Sequence, residues 1–339
     1  MVAVKPEGLP AGIVRIELPV PFLGTVNLWL LKGEPLTLVD AGPANDETRI
    51  GLKRALAAHG VALEQLELLL VTHHHLDHSG LASEIRDAGA IVAAHATTAD
   101  WGRHFHERAA AERALTEQLL AAHGVPARLV RGSEPFWRHI VENGAPFETD
   151  RVLADGDEVG AGGFAFRVLH RPGHSASDTL FVDDERGVAL VGDHLLAEIT
   201  SGAELGLPEL PGAERRRALP QYLVNLRRTA ELPLELCLTG HGPVVRDHAR
   251  LIAGRLEFHA ERLRRVESSL GRGGSTAYEL ALQLWDDETV SRETVLAIWE
   301  VLGHVDLLLE RGVAVEEVDG DRHVFVPVHR TQRAAAARA

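Results

Sequence analysis

Five of the six residues from His73 to His78 carry side chains that bind metal ions, in the order His-His-His-Leu-Asp-His. The apolar residues 66–71 before them predict a short buried strand. Because side chains alternate along an extended chain, His73 and His75 share one side and can hold one cation, whereas His74 faces away. Asp77 and His78 follow as the chain turns towards a helix predicted from about residue 79. The spacing therefore predicts two half-sites for two cations.

Each half-site needs further ligands, because a catalytic zinc ion usually takes three protein ligands and a water. His174, Asp193 and His241 are the candidates, each near the end of a predicted strand and each directly after a glycine. Glycine lets the backbone turn sharply and approach a site closely. We expect these three residues to complete the two half-sites.

The ordered set resembles the signature of the metallo-beta-lactamase superfamily, His-x-His-x-Asp-His followed by His, Asp and His, with the metal motif of its glyoxalase II type. The resemblance covers roughly the first 250 residues. It implies a first metal bound by His73, His75 and His174, a second bound by Asp77, His78 and His241, and Asp193 as the bridge between them.

The same resemblance implies a hydrolase that attacks its substrate with a hydroxide shared by the two metals. Asp77 and Asp193 are then the catalytic carboxylates, and Asp77 helps to handle protons. Imidazole-rich ligation favours zinc, with iron or manganese as alternatives. No serine or cysteine nucleophile is required.

Asp40 ends a predicted strand and matches the acidic residue that the family carries behind its metal ligands. We expect its carboxylate to orient a ligating imidazole. From the local sequence alone, an aspartate that ends a strand at a turn is an equally good interpretation.

Two positions separate this chain from other branches of the superfamily. Position 75 is a histidine and not the glutamate of the flavo-diiron proteins, which favours hydrolysis over redox chemistry. His78 and Asp193 occur together, whereas typical antibiotic-cleaving members lack one or the other. We therefore do not expect a beta-lactamase.

Other histidines are candidates for the site by their position alone. Five stand out in this way, but we expect surface or packing roles for His74, His104, His106, His170 and His194. His194 follows Asp193 directly and is the one of these best placed to hydrogen-bond a substrate or a ligand.

The order of predicted strands and helices indicates an α/β protein with a four-layer αββα sandwich. We assign residues 1–252 to this catalytic domain, with a helical insert at about 97–150, residues 253–330 to a small winged-helix-like domain, and 331–339 to a tail. Within the insert, Trp101, Phe105, Trp137 and Phe147 form either a lid over an apolar pocket or an ordinary packed layer.

Composition limits the class of protein. The lone Cys237 cannot form an intramolecular disulfide, and the sequence shows neither an export signal nor an apolar run long enough to span a bilayer, so we expect a cytoplasmic protein without membrane contact. The formal charge of −14 disfavours nucleic acid. Residues 250–339 likewise hold twelve basic against fifteen acidic residues.

The substrate is less well defined than the metal site. A small ester, thioester or lactone is the first expectation, and the partner is therefore a small molecule. RNA stays an alternative, because the winged-helix-like end resembles that of a single-strand endoribonuclease subgroup. A non-catalytic metal-binding regulator with a nucleic-acid-binding tail is a third possibility, and the C-terminal part could also form a homodimer.

Overall fold

The computed structural model describes residues 8–21, 24–207 and 215–328. Its first sheet has six strands in the order of the chain. They are β1 (Ile13–Val20), β2 (Gly24–Leu31), β3 (Thr37–Val39), β4 (Leu68–Val71), β5 (Ile91–His95) and β6 (Arg151–Leu153). The first three pair antiparallel, and β3 to β6 pair parallel.

The second sheet has five strands in the order β11-β10-β9-β8-β7. They are β7 (Glu158–Ala161), β8 (Phe164–His170), β9 (Thr179–Asp183), β10 (Val188–Gly192) and β11 (Leu236–Thr239). Only β10 and β11 pair parallel. Every residue of β4, β9, β10 and β11 is buried, as expected of strands covered on both faces.

Apolar side chains from both sheets meet in a central core that includes Leu70, Phe166, Phe181 and Leu190. The outer face of the first sheet packs on α1 (Asp46–Ala58) and α3 (Ala82–Asp87), which follows the short α2 (Leu76–Ser79). The predicted αββα sandwich is confirmed, because helices also cover the second sheet.

The helical insert consists of four helices: α4 (Ala96–Arg103), α5 (Phe105–Ala122), α6 (Ala127–Gly132) and α7 (Glu134–Asn143). The four aromatic side chains considered for a lid are all buried. Trp137 belongs to the apolar core outside the second sheet, and Phe147 to the core outside the first. Trp137 and Phe147 are therefore packed in apolar cores, and the lid stays a prediction.

The remaining helices are α8 (Ala218–Ala230), α9 (His248–Ser269), α10 (Ala277–Leu284), α11 (Asp287–Arg292) and α12 (Thr294–Glu310), followed by the hairpin β12 (Ala314–Asp319) and β13 (Arg322–Pro327). A capping box begins α10, since the Thr276 hydroxyl accepts a hydrogen bond from the Glu279 amide at 3.2 Å and the Glu279 carboxylate accepts one from the Thr276 amide at 2.9 Å. The sequence predicts one helix over about 291–311, but the backbone leaves the helical conformation at Glu293, so α11 and α12 are separate.

One apolar core joins the C-terminal helices to the second sheet. Leu226 of α8, Ile252 of α9, Leu280 of α10 and Leu302 of α12 all belong to it. It crosses the domain boundary predicted near residue 252, and both that boundary and the winged-helix assignment stay predictions. None of the described helices is long and apolar enough to cross a membrane.

Candidate metal centre

Loops at one end of both sheets carry the candidate ligands. On the first sheet, β4 ends at Val71, and a short irregular segment leads to His75, the residue that precedes α2. Asp77 and His78 lie on α2 itself. On the second sheet, the three other candidates follow β8, β10 and β11. The seven side chains expected from the sequence therefore converge from the two halves of the sandwich.

His73, His75 and His174 form the first group. His174 Nε2 lies 3.0 Å from His75 Nδ1. The ring centroid of His73 lies 4.6 Å from that of His75 and 5.3 Å from that of His174. One ring nitrogen of each residue lies within 4.8 Å of the other two, which suits a single small cation.

Asp77, His78 and His241 form the second group. Asp77 Oδ2 lies 3.2 Å from His241 Nε2 and 3.8 Å from His78 Nε2. Asp193 stands between the two groups, because its Oδ1 lies 3.4 Å from His78 Nε2 while its Oδ2 lies 3.3 Å from His241 Nε2 and 3.7 Å from His174 Nε2. This carboxylate thus faces both groups at once.

Hydrogen bonds behind the imidazoles fix their orientation. His78 Nδ1 donates to Asp40 Oδ2 at 2.8 Å, His174 Nδ1 to the Gly202 carbonyl at 2.8 Å, and His241 Nδ1 to the Thr25 carbonyl at 2.6 Å. In this tautomer each Nε2 is left with a lone pair directed into the centre. The structure thus places Asp40 behind His78, as the sequence suggested.

Two observations show that the cluster fits metal ions. Among the described residues, His73 Nε2, His78 Nε2 and Asp193 Oδ1 are buried without a hydrogen-bond partner, which is costly unless a cation compensates. The backbone also leaves room for them at Gly240, where a Cβ would lie 2.1 Å from Asp193 Oδ1 and 2.6 Å from His78 Cε1. Glycine is the residue that this close approach requires.

The titratable groups of the cluster change one another's pKa values. Burial lowers the pKa of His73 well below its ordinary value, and neighbouring imidazoles lower it further. Burial opposes the charge of His241, but the carboxylates of Asp193 and Asp77 raise its pKa to about 10. Burial likewise opposes ionisation of Asp77, yet His78 and His241 lower the pKa of Asp77 to about 2. Ionised carboxylates facing imidazole nitrogens are a donor set that attracts divalent cations.

His104, His106, His170 and His194 occupy surface or packing positions, whereas His74 lies beside His75 and Glu204. His194 is fully buried and bonds to Thr229 Oγ1 at 2.9 Å, and burial lowers its pKa to about 3, so it belongs to the core. His170 stacks on His95 at 3.9 Å. His104 and His106 are exposed. His74 stacks on Trp101 at 3.9 Å and contacts Ser177 Oγ at 2.7 Å, and one ring nitrogen of it lies within 4.8 Å of ligand atoms of His75 and Glu204.

Glu204 is a site residue that the sequence did not reveal. Its Oε2 lies 3.5 Å from His75 Nε2 and 4.0 Å from His74 Nε2, and its amide donates to the His174 carbonyl at 2.9 Å. Burial disfavours its charge, but the hydrogen bond with His75 lowers the pKa of Glu204 to about 2. It lies in an irregular loop without a motif, so only the folded chain shows its position.

Comparison with known families agrees with this geometry. The chain belongs to the metallo-beta-lactamase superfamily, whose sequence model matches residues 21–241. Over 331 residues it is 29% identical to the probable metallo-hydrolase YqjP of Bacillus subtilis, covering 94% of this chain and 98% of that protein. A solved metallo-beta-lactamase family protein from Thermus thermophilus superposes with a TM-score of 0.80 at 28% identity, covering 94% of this chain and 99% of the other.

Shorter matches reach two thioesterases. The atrochrysone carboxyl ACP thioesterase of Aspergillus terreus is 28% identical over 210 residues, or 57% of this chain and 59% of that protein. The acyl-coenzyme A thioesterase MBLAC2 of Bos taurus is 29% identical over 173 residues, or 49% of this chain and 57% of that protein.

Proposed function

We propose that the chain hydrolyses small-molecule thioesters with two divalent metal ions, zinc being favoured by the imidazole-rich donor set. The observation that carries the proposal is the Asp193 carboxylate, which faces His78 with one oxygen and His174 and His241 with the other. A bridging carboxylate between two open sites is the arrangement of dinuclear hydrolytic enzymes.

Each of the two ions would have its own set of ligands. His73, His75 and His174 would hold one ion, Asp77, His78 and His241 the other, and Asp193 both. When bound, two such ions supply hydroxide near neutral pH and polarise the scissile carbonyl.

Side chains of the protein position the ligating imidazoles and protonate the leaving group. Asp40, through its hydrogen bond to His78 Nδ1, holds that ring in the tautomer with a free Nε2. The Asp77 carboxylate lies at the centre, where it can accept a proton and pass it to the leaving thiolate. Glu204, 3.5 Å from His75 Nε2, orients that imidazole so that its Nδ1 faces His174.

Thioesters are preferred over the other substrate classes on two grounds. The shorter matches reach one thioesterase that acts on an acyl carrier protein and one that acts on coenzyme A. The net charge of −14 disfavours a polyanion such as RNA. Esters, lactones, single-stranded RNA and a beta-lactam are the comparison substrates.

Metal content and turnover test the proposal together. We expect elemental analysis to find about two ions per chain. We also expect the protein to cleave an acyl-thioester of N-acetylcysteamine, with His73→Ala and Asp193→Ala both inactive but folded. His59→Ala changes an exposed histidine at the end of α1 and serves as the matched control. Absence of bound metal after loading at neutral pH, or full activity of Asp193→Ala, would refute the dinuclear mechanism.

A further inference from the structure

A cavity of about 950 Å³ lies beside the loop that follows β8, between α8 and the C-terminal end of α12. Six arginines line it, and Glu310 is the carboxylate among its lining residues. The arginines are Arg215, Arg216, Arg217, Arg227, Arg228 and Arg311. Such a concentration of guanidinium groups is unexpected in a chain with a net charge of −14.

Three of these arginines have no ion pair within the part of the chain that the structure describes. Arg215 is paired, because it donates two hydrogen bonds of 2.7 Å to the buried Asp306. In contrast, Arg227, Arg228 and Arg311 are exposed, and none of them forms an ion pair with a carboxylate in residues 8–21, 24–207 or 215–328. Arg227 donates to the Leu223 carbonyl, and Arg228 lies 3.5 Å from Asn225 Oδ1. Three adjacent cations therefore remain available to an anion.

The cavity is next to the metal centre. Arg216 lines it and also donates to the Ser175 carbonyl at 3.1 Å and to the Glu204 carbonyl at 2.9 Å, and both acceptors belong to the loops around His174. Pro172, another lining residue, accepts a hydrogen bond from Asn225 Nδ2 at 2.7 Å and precedes His174 by two positions. Arg216 and Pro172 thus connect the lining of the cavity to the loop that carries His174.

We infer that this cavity binds the phosphate groups of the thioester substrate, which is therefore carried on a phosphopantetheine arm. Guanidinium groups bind phosphate oxygens with paired, charge-assisted hydrogen bonds. In such thioesters a long flexible arm separates the phosphates from the acyl carbonyl, so both ends can be held at once. The inference rests on the proposed function and adds the class of carrier; coenzyme A and acyl carrier protein share this chemistry.

The test compares substrates with and without phosphate. The double variant Arg227→Gln/Arg311→Gln removes two exposed charges, and Arg54→Gln on α1, against the other sheet, is the matched control. For an acyl-coenzyme A we expect the double variant to raise KM about tenfold with kcat almost unchanged, because binding is lost equally in the ground and transition states. The KM for the N-acetylcysteamine thioester should not change.

Further substrates identify which phosphate is bound. If the double variant raises the KM for the coenzyme A thioester but not for the dephospho-coenzyme A thioester, the arginines bind the 3′-phosphate of a coenzyme A ester. If the KM for the phosphopantetheine thioester rises equally and the KM for the pantetheine thioester does not rise, the arginines bind the phosphate that coenzyme A and acyl carrier protein share. Arg227→Lys/Arg311→Lys should recover part of the affinity, because the charge is kept and the paired donors are lost.

A binding measurement keeps this inference separate from the proposed function. Calorimetry with adenosine 3′,5′-bisphosphate, which has no thiol, should show binding to the metal-depleted wild type that weakens in the double variant. Cleavage of neither thioester would refute the proposed function while this titration still reports on the cavity. An unchanged KM and an unchanged titration in the double variant, or Arg-dependent binding of single-stranded RNA in preference to the bisphosphate, would overturn the inference.

Discussion

Replacing Asp40 by Asn would keep the shape of the side chain behind the metal centre and change the hydrogen bond that it makes to His78. Asp40 has a φ of 63°, and Asn tolerates this left-handed conformation better than Ala does. The carboxylate accepts from the Thr72 amide at 2.8 Å, from Thr72 Oγ1 at 2.9 Å and from His78 Nδ1 at 2.8 Å. An amide oxygen can replace Oδ1 opposite the Thr72 amide, but the NH₂ group then meets His78.

The substitution changes the preferred tautomer of His78. With an NH₂ group in front of it, Nδ1 is satisfied only as an acceptor, so the proton moves to Nε2, the atom that faces Asp193. A protonated Nε2 cannot bind a metal ion. Loss of such a partner typically weakens metal affinity by about 10–100-fold, which corresponds to roughly 1.4–2.7 kcal/mol.

The assay is competition with a chelator, followed as release of each ion, for wild type, Asp40→Asn and Thr72→Val. The Thr72→Val variant leaves His78 Nδ1 paired with Asp40 but removes the hydroxyl that lies 3.1 Å from His73 Nδ1, so it should weaken the ion held by His73 and not the ion held by His78. We expect one ion to be released more readily from Asp40→Asn while the other keeps its affinity. Wild-type affinity for both ions in a folded Asp40→Asn variant would refute the argument.

Two further predictions concern a backbone approach and a buried pair. Gly240→Ala should strongly reduce metal binding and turnover, measured by elemental analysis and kinetics, because the new Cβ would lie 2.1 Å from Asp193 Oδ1; unaltered metal content would contradict this. Burial lowers the pKa of His259 to about 3 and that of His304 to about 4, from an ordinary 6.5. Between about pH 4 and 6.5 the unfolded chain therefore binds more protons, so the free energy of unfolding of the metal-depleted protein falls as the pH falls, by up to about 1.4 kcal/mol per pH unit for each group. Denaturant unfolding at several pH values should show a shallower dependence in His304→Leu, and an unchanged slope would exclude this pair as a cause.

The sequence predicts the part of the site in which chemistry follows from local spacing. The residues from His73 to His78 are contiguous, and their alternation along an extended chain is a local property, so their grouping can be expected without a structure. His174, Asp193 and His241 lie far apart in the chain, and their order is informative only through the family resemblance.

Features that depend on tertiary packing could not be expected. Glu204 reaches His75 from a loop without regular structure, and no local pattern marks it. The arginine cavity joins α8 to the end of α12, which are about eighty residues apart in the chain. The break between α11 and α12 is not predicted either, because helix ends are the least certain part of a helix prediction from sequence.

The distribution of the candidate ligands over two sheets has a thermodynamic consequence. The first sheet supplies His73 to His78, and loops of the second supply His174, Asp193 and His241, so an ion held by both sets is a cross-link between the halves of the sandwich. Ligand binding to the folded state alone adds RT ln(1 + [L]/Kd) to its stability, about 2.7 kcal/mol at a hundredfold excess over Kd. Folding of the sandwich and metal binding are then linked equilibria. The free energy of unfolding rises as the concentration of the free ion rises.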